Sequence, residues 1–211
     1  MRRRPHSPRD LKRSTPKRDP YARVLIVCEG SKTEPTYFTE LRDHLKLNTA
    51  NVEVDGDSDS SPKSVVEHAK KRYQQDKEYD RVYCVFDKDS HTTYTQALDM
   101  VSAQQPSGIF HAITSVPCFE YWLLLHFVFT AKPYARSGTR SPADCVIDDL
   151  EKYLPAYHKG DRNIYVKLRD KTEVAINHAK HAMQQAIQNE TDNPSTKVFE
   201  LVEYLRRLKN L

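Results

Sequence analysis

The 211-residue sequence has no hydrophobic run of about 18 residues, the length that a membrane-spanning helix needs. Its first twenty residues, MRRRPHSPRDLKRSTPKRDP, also lack the apolar middle segment of a secretory signal. We therefore expect no membrane association and no export. These two absences together predict a cytoplasmic protein.

Closely spaced cysteine pairs and a phosphate-binding P-loop are missing as well. The four cysteines, at positions 28, 84, 118 and 145, are far apart, which disfavours a structural zinc site. Three of them lie in apolar segments, so we expect reduced cysteines that fill core space. Because GxxxxGK[ST] is absent, the chain is not expected to hydrolyse ATP by itself.

Positive charge is concentrated at the amino terminus. Residues 1–20 carry a net charge of +6, whereas residues 21–211 carry −2. A basic, aromatic-poor segment of this kind predicts a disordered arm. One hypothesis is that the arm binds nucleic-acid phosphates, and the other is that it is a solvated tail that aids solubility. The basic residues concerned are Arg2, Arg3, Arg4, Arg9, Lys12, Arg13, Lys17 and Arg18.

Strand and helix patterns alternate through the first part of the folded region. RVLIVCEG, from Arg23, is a continuous apolar run typical of a strand buried on both faces, and further strands are predicted at 51–56, 81–87 and 108–115. Helices are predicted to begin at a Ser31/Glu34 capping box, at Ser61 with Pro62, and near 92. This order predicts an α/β fold with a parallel sheet of about four strands flanked by helices.

The remainder of the sequence predicts helices. CFEYWLLLHFVF (118–129) is apolar enough for a long buried helix, and 131–142 is polar like a loop. Further helices are expected at 142–154, 170–188 and 194–209, the last capped by Asn193 with Pro194 at its first position. We therefore predict an α/β core at 21–130 and a helical C-terminal extension, 131–211, packed on it.

Three acidic residues follow two of the predicted strands. Glu29 ends the first strand, and Asp87 and Asp89 end the third in VFDKDS. Because neighbouring parallel strands lie roughly 5 Å apart, these carboxylates can converge on one hard cation, Mg²⁺ or Mn²⁺. An acid after a strand also caps a following helix in many proteins, which is the alternative for the DxD pair alone.

Two other charged residues are candidates for catalysis. Glu120 lies in the apolar segment FEYWLLLHF, so it is either a further metal ligand or base, or the partner of a buried Lys or Arg. Lys32 lies beside a helix start, where a cation holds a phosphate or the charge on a leaving group; the alternative is a solvated lysine.

Four segments in this order resemble the RloB family: VLIVCEGSKTEPTYF, VFDKDS, VPCFEYWLLLHF and NPSTKVFELVEYL. The core of that family is similar to the Toprim domain of OLD-type nucleases, topoisomerases and primases. The resemblance implies a Toprim-like, Rossmann-like core in which Glu29 matches the glutamate proposed to handle protons. It also implies that Asp87 and Asp89 match the metal-binding pair.

The same resemblance implies a function. We expect a Mg²⁺-dependent nuclease that cleaves nucleic-acid phosphodiesters in anti-phage defence of the abortive-infection type, together with an ATPase partner. The alternative is a non-catalytic Toprim-like module that binds an ATPase partner through its C-terminal helices, since fold alone does not establish chemistry. The choice of DNA or RNA, including tRNA, stays open.

Overall fold

The computed structural model describes residues 22–209. The strands in this range are β1 (Val24–Glu29), β2 (Val52–Ser58), β3 (Arg81–Asp87), β4 (Phe110–Val116) and β5 (Ser195–Thr196). The helices in this range are α1 (Thr33–His44), α2 (Pro62–Gln75), α3 (Tyr94–Ser102), α4 (Glu120–Leu124), α5 (Pro142–Glu151), α6 (Ile164–Leu168), α7 (Thr172–Gln188) and α8 (Val198–Leu208), with a 3₁₀ turn at Arg169–Lys171.

The strands form one sheet in the order β2-β1-β3-β4-β5. The first four are parallel, and β1 lies between β2 and β3, with Val24 paired to Val52 of β2 and to Arg81 of β3. The short β5 runs antiparallel to the end of β4, where Ser115 faces Thr196. The predicted α/β class and parallel sheet are confirmed, and the sheet gains an antiparallel fifth strand from the C-terminal region.

Alternate residues of the strands point into two apolar layers, one on each face of the sheet. Leu25 and Val27 of β1 pack with α2 and α3, while Val24, Ile26 and Cys28 pack on the other face with α1, α4, α5, α6, α7 and α8. This is the period-2 alternation expected of strands covered on both sides. Both faces of β1 are fully buried, which explains its uninterrupted apolar sequence.

The second of these layers joins residues from both sides of the predicted boundary at 130. Phe38 of α1 and Trp122 of α4 belong to the same buried cluster as Ala179 of α7 and Leu205 of α8. The C-terminal helices thus complete the face of the sheet that α1 begins to cover. The limits 21–130 and 131–211 stay predictions, and the arm at 1–20 lies outside the described residues.

The predicted long helix at 118–129 is wrong. Helix α4 has only five residues, and it continues through turns in which His126 N–H bonds to Leu123 O and Phe127 N–H to Leu124 O. Residues 118–126 are all buried. Because every side is buried, nearly all of these residues are apolar, and they carry no period from which the helix length could be predicted.

Two of the predicted helix caps are also wrong. Helix α1 follows Lys32, and in the described part of the chain no side-chain hydrogen bond caps this end. Asn193 does not cap α8; its side chain accepts from Tyr134 N–H at 3.1 Å and donates to Tyr134 O at 2.7 Å. Ser195 and Thr196, which follow Asn193, pair with β4 as β5. The helix therefore begins only at Val198, although the local sequence is typical of a helix start at Asn193. The cap of α2 is confirmed, since Ser61 Oγ accepts from Ser64 N–H at 3.2 Å.

Other expectations concern membranes and cysteines. None of the helices within 22–209 has the length and apolarity needed to cross a bilayer. All four cysteines are free, and Cys28, Cys84 and Cys118 are buried as predicted, whereas Cys145 is partly exposed.

Candidate active site

A pocket of about 380 Å³ lies at the carboxyl ends of β1 and β3. Five carboxylates line it, and its basic lining residues are Lys32, His91 and Lys159. The acids are Glu29, Glu34, Asp87, Asp89 and Glu120. All five predicted site residues of the folded region, Glu29, Lys32, Asp87, Asp89 and Glu120, are therefore brought to one place.

Glu29 links the ends of the two strands. Its Oε2 accepts a hydrogen bond from Asp87 N–H at 3.0 Å, and its Oε1 lies 3.0 Å from His91 Nε2. Burial raises the pKa of Glu29 above its ordinary value, while the Asp87 amide and His91 oppose that rise and Asp89 adds to it. Glu29 is thus a carboxylate whose proton affinity is increased and which has a titratable ring beside it.

Asp87 lies deeper in the pocket. Its Oδ2 accepts from Phe119 N–H at 3.0 Å, so β3 is held to the segment that precedes α4. Burial raises the pKa of Asp87 well above its usual range, and the negative charges of Glu34 and Glu120 raise it further. Asp87, Glu34 and Glu120 therefore lie close together in one poorly solvated region, where their negative charges repel one another.

Asp89 lies on the exposed side of the same turn. Its backbone has a φ of +30°, and its N–H donates to Pro117 O at 2.9 Å. Lys88 points away from the pocket, with its Nζ 2.6 and 2.9 Å from the two carboxylate oxygens of Asp192. The turn therefore places Asp87 inward and Asp89 toward solvent, and the lysine between them pairs outside the pocket.

Glu120 is 1% exposed and has one satisfied and one unsatisfied oxygen. Its Oε1 accepts a hydrogen bond from Tyr157 Oη at 3.0 Å and lies 3.4 Å from Lys159 Nζ. Its Oε2 is buried without a hydrogen-bond partner among the described residues. The two sequence-based alternatives for Glu120 therefore both apply in part, because the residue has a cationic neighbour and also lines the pocket.

Sequence reasoning missed Glu34, Tyr157 and Lys159. Glu34 was assigned to a cap, but it lines the pocket, where burial first and the charge of Glu120 second raise its pKa to about 8. The only signal in the sequence is that Glu34 lies in the first turn of the helix that follows Glu29 and β1. No spacing in the sequence pointed to Tyr157 or Lys159.

Tyr157 and Lys159 lie on a loop between α5 and α6 that is bound to α1. Lys159 lines the pocket, and Tyr157 contacts Glu120 beside it. Gly160 N–H donates to Thr33 Oγ1 at 3.2 Å, and Tyr165 N–H donates to Glu40 Oε2 at 2.9 Å. We call residues 157–163, which lead into Tyr165 of α6, the anchored loop. Its contacts with α1 fix the positions of the two side chains that meet Glu120.

Lys32 lies at the mouth of the pocket with an exposed side chain. It also packs against the anchored loop: Gly160 has a φ of +85°, and a Cβ added there would lie 3.3 Å from Lys32 Cβ. Both the backbone conformation and this close approach favour glycine at position 160. Lys32 thus has a packing role in addition to its position near the acids.

Cys118 also lines the pocket, but it is a buried thiol. Burial raises its pKa well above the usual range, and the charges of Glu120 and Asp87 add to the effect. A thiol that stays protonated is a poor nucleophile and a poor metal ligand. The chemistry of the pocket therefore belongs to its oxygen and nitrogen groups.

Within residues 22–209, no group of three or more His, Cys, Asp and Glu side chains is arranged as a ready metal-binding cluster. The predicted metal ligands Glu29, Asp87 and Asp89 share the pocket, and their assignment to a cation stays a prediction. The predicted nucleic-acid-binding residues of the basic arm lie outside the described residues.

Comparison with known families covers most of the chain. The sequence profile of the family described as RloB-like protein matches residues 24–205. The chain belongs to the RloB-like family. No curated protein and no solved structure matches this RloB-like protein. The match extends from β1 to α8, so the pocket acids and the anchored loop of the RloB-like protein all fall within the family region.

Proposed function

We propose that this RloB-like protein is a Mg²⁺- or Mn²⁺-dependent nuclease that hydrolyses nucleic-acid phosphodiesters. The observation that carries the proposal is the pocket at the ends of β1 and β3, where five carboxylates meet and Glu120 Oε2 is buried without a hydrogen bond among the described residues. Carboxylates that repel one another in one pocket destabilise the fold unless a cation or a proton neutralises them. Such a cluster therefore points to a functional site.

The donor chemistry of the pocket fits a hard divalent cation. All of the acidic donors are carboxylate oxygens, which Mg²⁺ and Mn²⁺ prefer, and an unpartnered buried oxygen gains most from such an ion. Glu29, Asp87 and Asp89 would hold the cation, with Glu120 adjoining. When bound, the cation would stabilise the negative charge that develops on the phosphate during hydrolysis.

The chain's own groups support the remaining parts of the reaction. Glu29 has a raised pKa, which suits it to accept a proton from the attacking water. Its Oε1 lies 3.0 Å from His91 Nε2, so the proton can then pass toward the His91 ring. Lys32 and Lys159 are the lysines that line the pocket, and both can contact a phosphate oxygen.

The biological setting proposed is anti-phage defence with an ATPase partner. This part depends on the family resemblance and on the absence of a P-loop from the sequence, so an ATP-driven step requires another protein. The substrate is nucleic acid, either DNA or RNA, including tRNA. The second candidate, a non-catalytic module that binds the ATPase, is the outcome if the acids prove dispensable.

The test is a cleavage assay with plasmid DNA, single-stranded DNA and total RNA, in Mg²⁺, Mn²⁺ or EDTA, with and without the partner ATPase. We expect Asp87→Asn and Asp89→Asn to lower cleavage by about 100-fold or more, and EDTA to abolish it. Asp170→Asn, at a side chain that is 91% exposed and distant in sequence from the pocket strands, is the matched control and should cleave like wild type.

Two results would contradict the proposal. One is wild-type cleavage by Asp87→Asn, which would separate the activity from the pocket. The other is no cleavage of any substrate by the wild-type chain together with its ATPase, which would favour the non-catalytic module.

A further inference from the structure

Lys159 is a lysine that enters the acid pocket from the C-terminal region of the chain. Its Nζ lies 3.4 Å from Glu120 Oε1, and its side chain is 51% exposed. It reaches this position because the anchored loop is bound to α1 on both sides of it, through Tyr157 and Gly160 to Thr33. The backbone of Lys159 is therefore fixed, while its long side chain has solvent around it.

The contact between Lys159 and Glu120 is loose. Charge-assisted N–H···O bonds are usually about 2.7–2.9 Å long, and this pair is longer. The short hydrogen bond to the same carboxylate oxygen comes from Tyr157 Oη, at 3.0 Å. Tyr157 thus orients Glu120, and Lys159 contributes charge without fixing the geometry.

The charge of Lys159 acts on more than one acid. Glu34, Asp87 and Glu120 repel one another across the pocket, and Lys159 lines the same space. A positive group at this place offsets their repulsion in the free protein. It also competes with any cation that enters, because like charges a few ångströms apart repel strongly where water is scarce.

We propose that Lys159 is the internal counter-ion of the acid pocket in the free protein. When a divalent cation enters, the lysine yields its place, and its ammonium then contacts a phosphate oxygen of the bound nucleic acid. This inference rests on the nuclease function proposed above. Lys159 then lowers the affinity of the pocket for a divalent cation and also binds the substrate. A lysine that only forms a structural ion pair would do neither.

Calorimetric titration with Mn²⁺ tests the first role without any need for cleavage. Lys159→Gln should bind Mn²⁺ about tenfold more tightly than wild type because the competing charge is gone. Lys159→Arg retains the charge and should bind like wild type. Arg162→Gln removes the same charge from an exposed position of the anchored loop and is the matched control; its Mn²⁺ affinity should not change.

The result that overturns the counter-ion is an affinity of Lys159→Gln that equals or falls below that of wild type, including the case in which neither protein binds Mn²⁺. Binding by Lys159→Gln alone supports it. A wild-type chain that binds Mn²⁺ but cleaves no nucleic acid even together with its ATPase would end the nuclease proposal and leave this comparison intact.

Binding of a short fluorescein-labelled single-stranded oligonucleotide, as DNA and as RNA, tests the second role in Ca²⁺. Lys159→Gln should weaken binding by about three- to tenfold, whereas Arg162→Gln should weaken it less than about twofold. Equal losses in the two variants would mean that only general positive charge matters, and would overturn the phosphate contact.

Discussion

The hydroxyl of Tyr157 donates a 3.0 Å hydrogen bond to Glu120 Oε1 across 37 positions of sequence. Both side chains are buried, and the bond joins the loop before α6 to the start of α4. The two residues belong to the parts of the chain that lie on either side of residue 130. Their contact is therefore a direct link between the acid pocket and the C-terminal region.

Replacement of Tyr157 by Phe should lower the free energy of unfolding by about 1–3 kcal/mol, because the buried Glu120 oxygen loses its hydrogen bond while the ring is kept. Urea denaturation followed by circular dichroism measures this change. Tyr153→Phe, at a tyrosine that is 44% exposed, should change stability by less than about 0.5 kcal/mol. Equal effects of the two substitutions would contradict the structural role of the Tyr157 bond.

Replacement of Glu120 by Gln should abolish cleavage and leave the melting temperature without metal level or higher. Gln keeps an acceptor for Tyr157 but removes the charge that repels Asp87 and Glu34. As a direct readout, the pKa of Glu34, about 8 in the wild-type protein, should fall when followed by carboxyl-carbon NMR.

Glu151→Gln, at an exposed residue of α5, is the control for the loss of one negative charge. If Glu120 serves only as the partner of Lys159, whose side chain is 51% exposed, its loss should leave cleavage intact and change the free energy of unfolding by no more than about 1 kcal/mol. That combination would refute a role for Glu120 in the reaction.

Acid should destabilise the fold through Asp55, whose side chain is 4% exposed. Burial raises the pKa of Asp55, but the Asp57 amide, the His68 ring and the charge of Arg72 outweigh burial, and the pKa is lowered overall. A carboxyl group whose pKa is lower in the folded state stabilises the fold above its unfolded pKa, near 3.9. That contribution is lost as the pH falls through the folded pKa.

Urea titrations at a series of pH values below about 4 should therefore show a shallower decline for Asp55→Asn than for wild type. One proton bound differently in the two states changes the slope by at most about 1.4 kcal/mol per pH unit. Asp57→Asn makes the same change at an exposed neighbour and should leave the slope at the wild-type value. Parallel curves for wild type and Asp55→Asn would show that the His68 and Arg72 contacts contribute no net stability.

Deletion of residues 1–20 should leave the melting temperature unchanged and weaken nucleic-acid binding, because a charge of +6 is removed. The slope of log affinity against log salt concentration should become shallower by several units if that many phosphates are contacted. Fluorescence anisotropy over a salt series measures it. An unchanged slope would mean that the arm serves as a solubility tail.

Residues at strand ends could be placed from the sequence because the rule is general. The carboxyl ends of parallel strands meet at one edge of the sheet, so Glu29 and Asp87 are expected at the same edge, and the pairing of β1 with β3 brings them together. The structure adds the hydrogen bond between Asp87 N–H and Glu29 that joins them. Local apolar patterns sufficed for this part of the fold.

The other half of the pocket depends on contacts that no local pattern encodes. Lys159 follows Glu29 by more than one hundred positions, and its location depends on how Gly160 and Tyr165 bind Thr33 and Glu40. The sequence predicts a helix cap at Glu34 because a capping pattern is local, whereas the burial of Glu34 is a tertiary effect. The position of Lys159 in the pocket thus depends on long-range contacts of the anchored loop, which the local sequence does not reveal.

The position of the anchored loop late in the chain has a consequence for biosynthesis. A nascent chain that has reached residue 130 already holds all five pocket acids but neither Tyr157 nor Lys159. At that stage Glu120 still lacks its hydrogen bond and its cationic neighbour, and α7 and α8 do not yet cover the sheet. The pocket lining can therefore be completed only after the anchored loop has been synthesised.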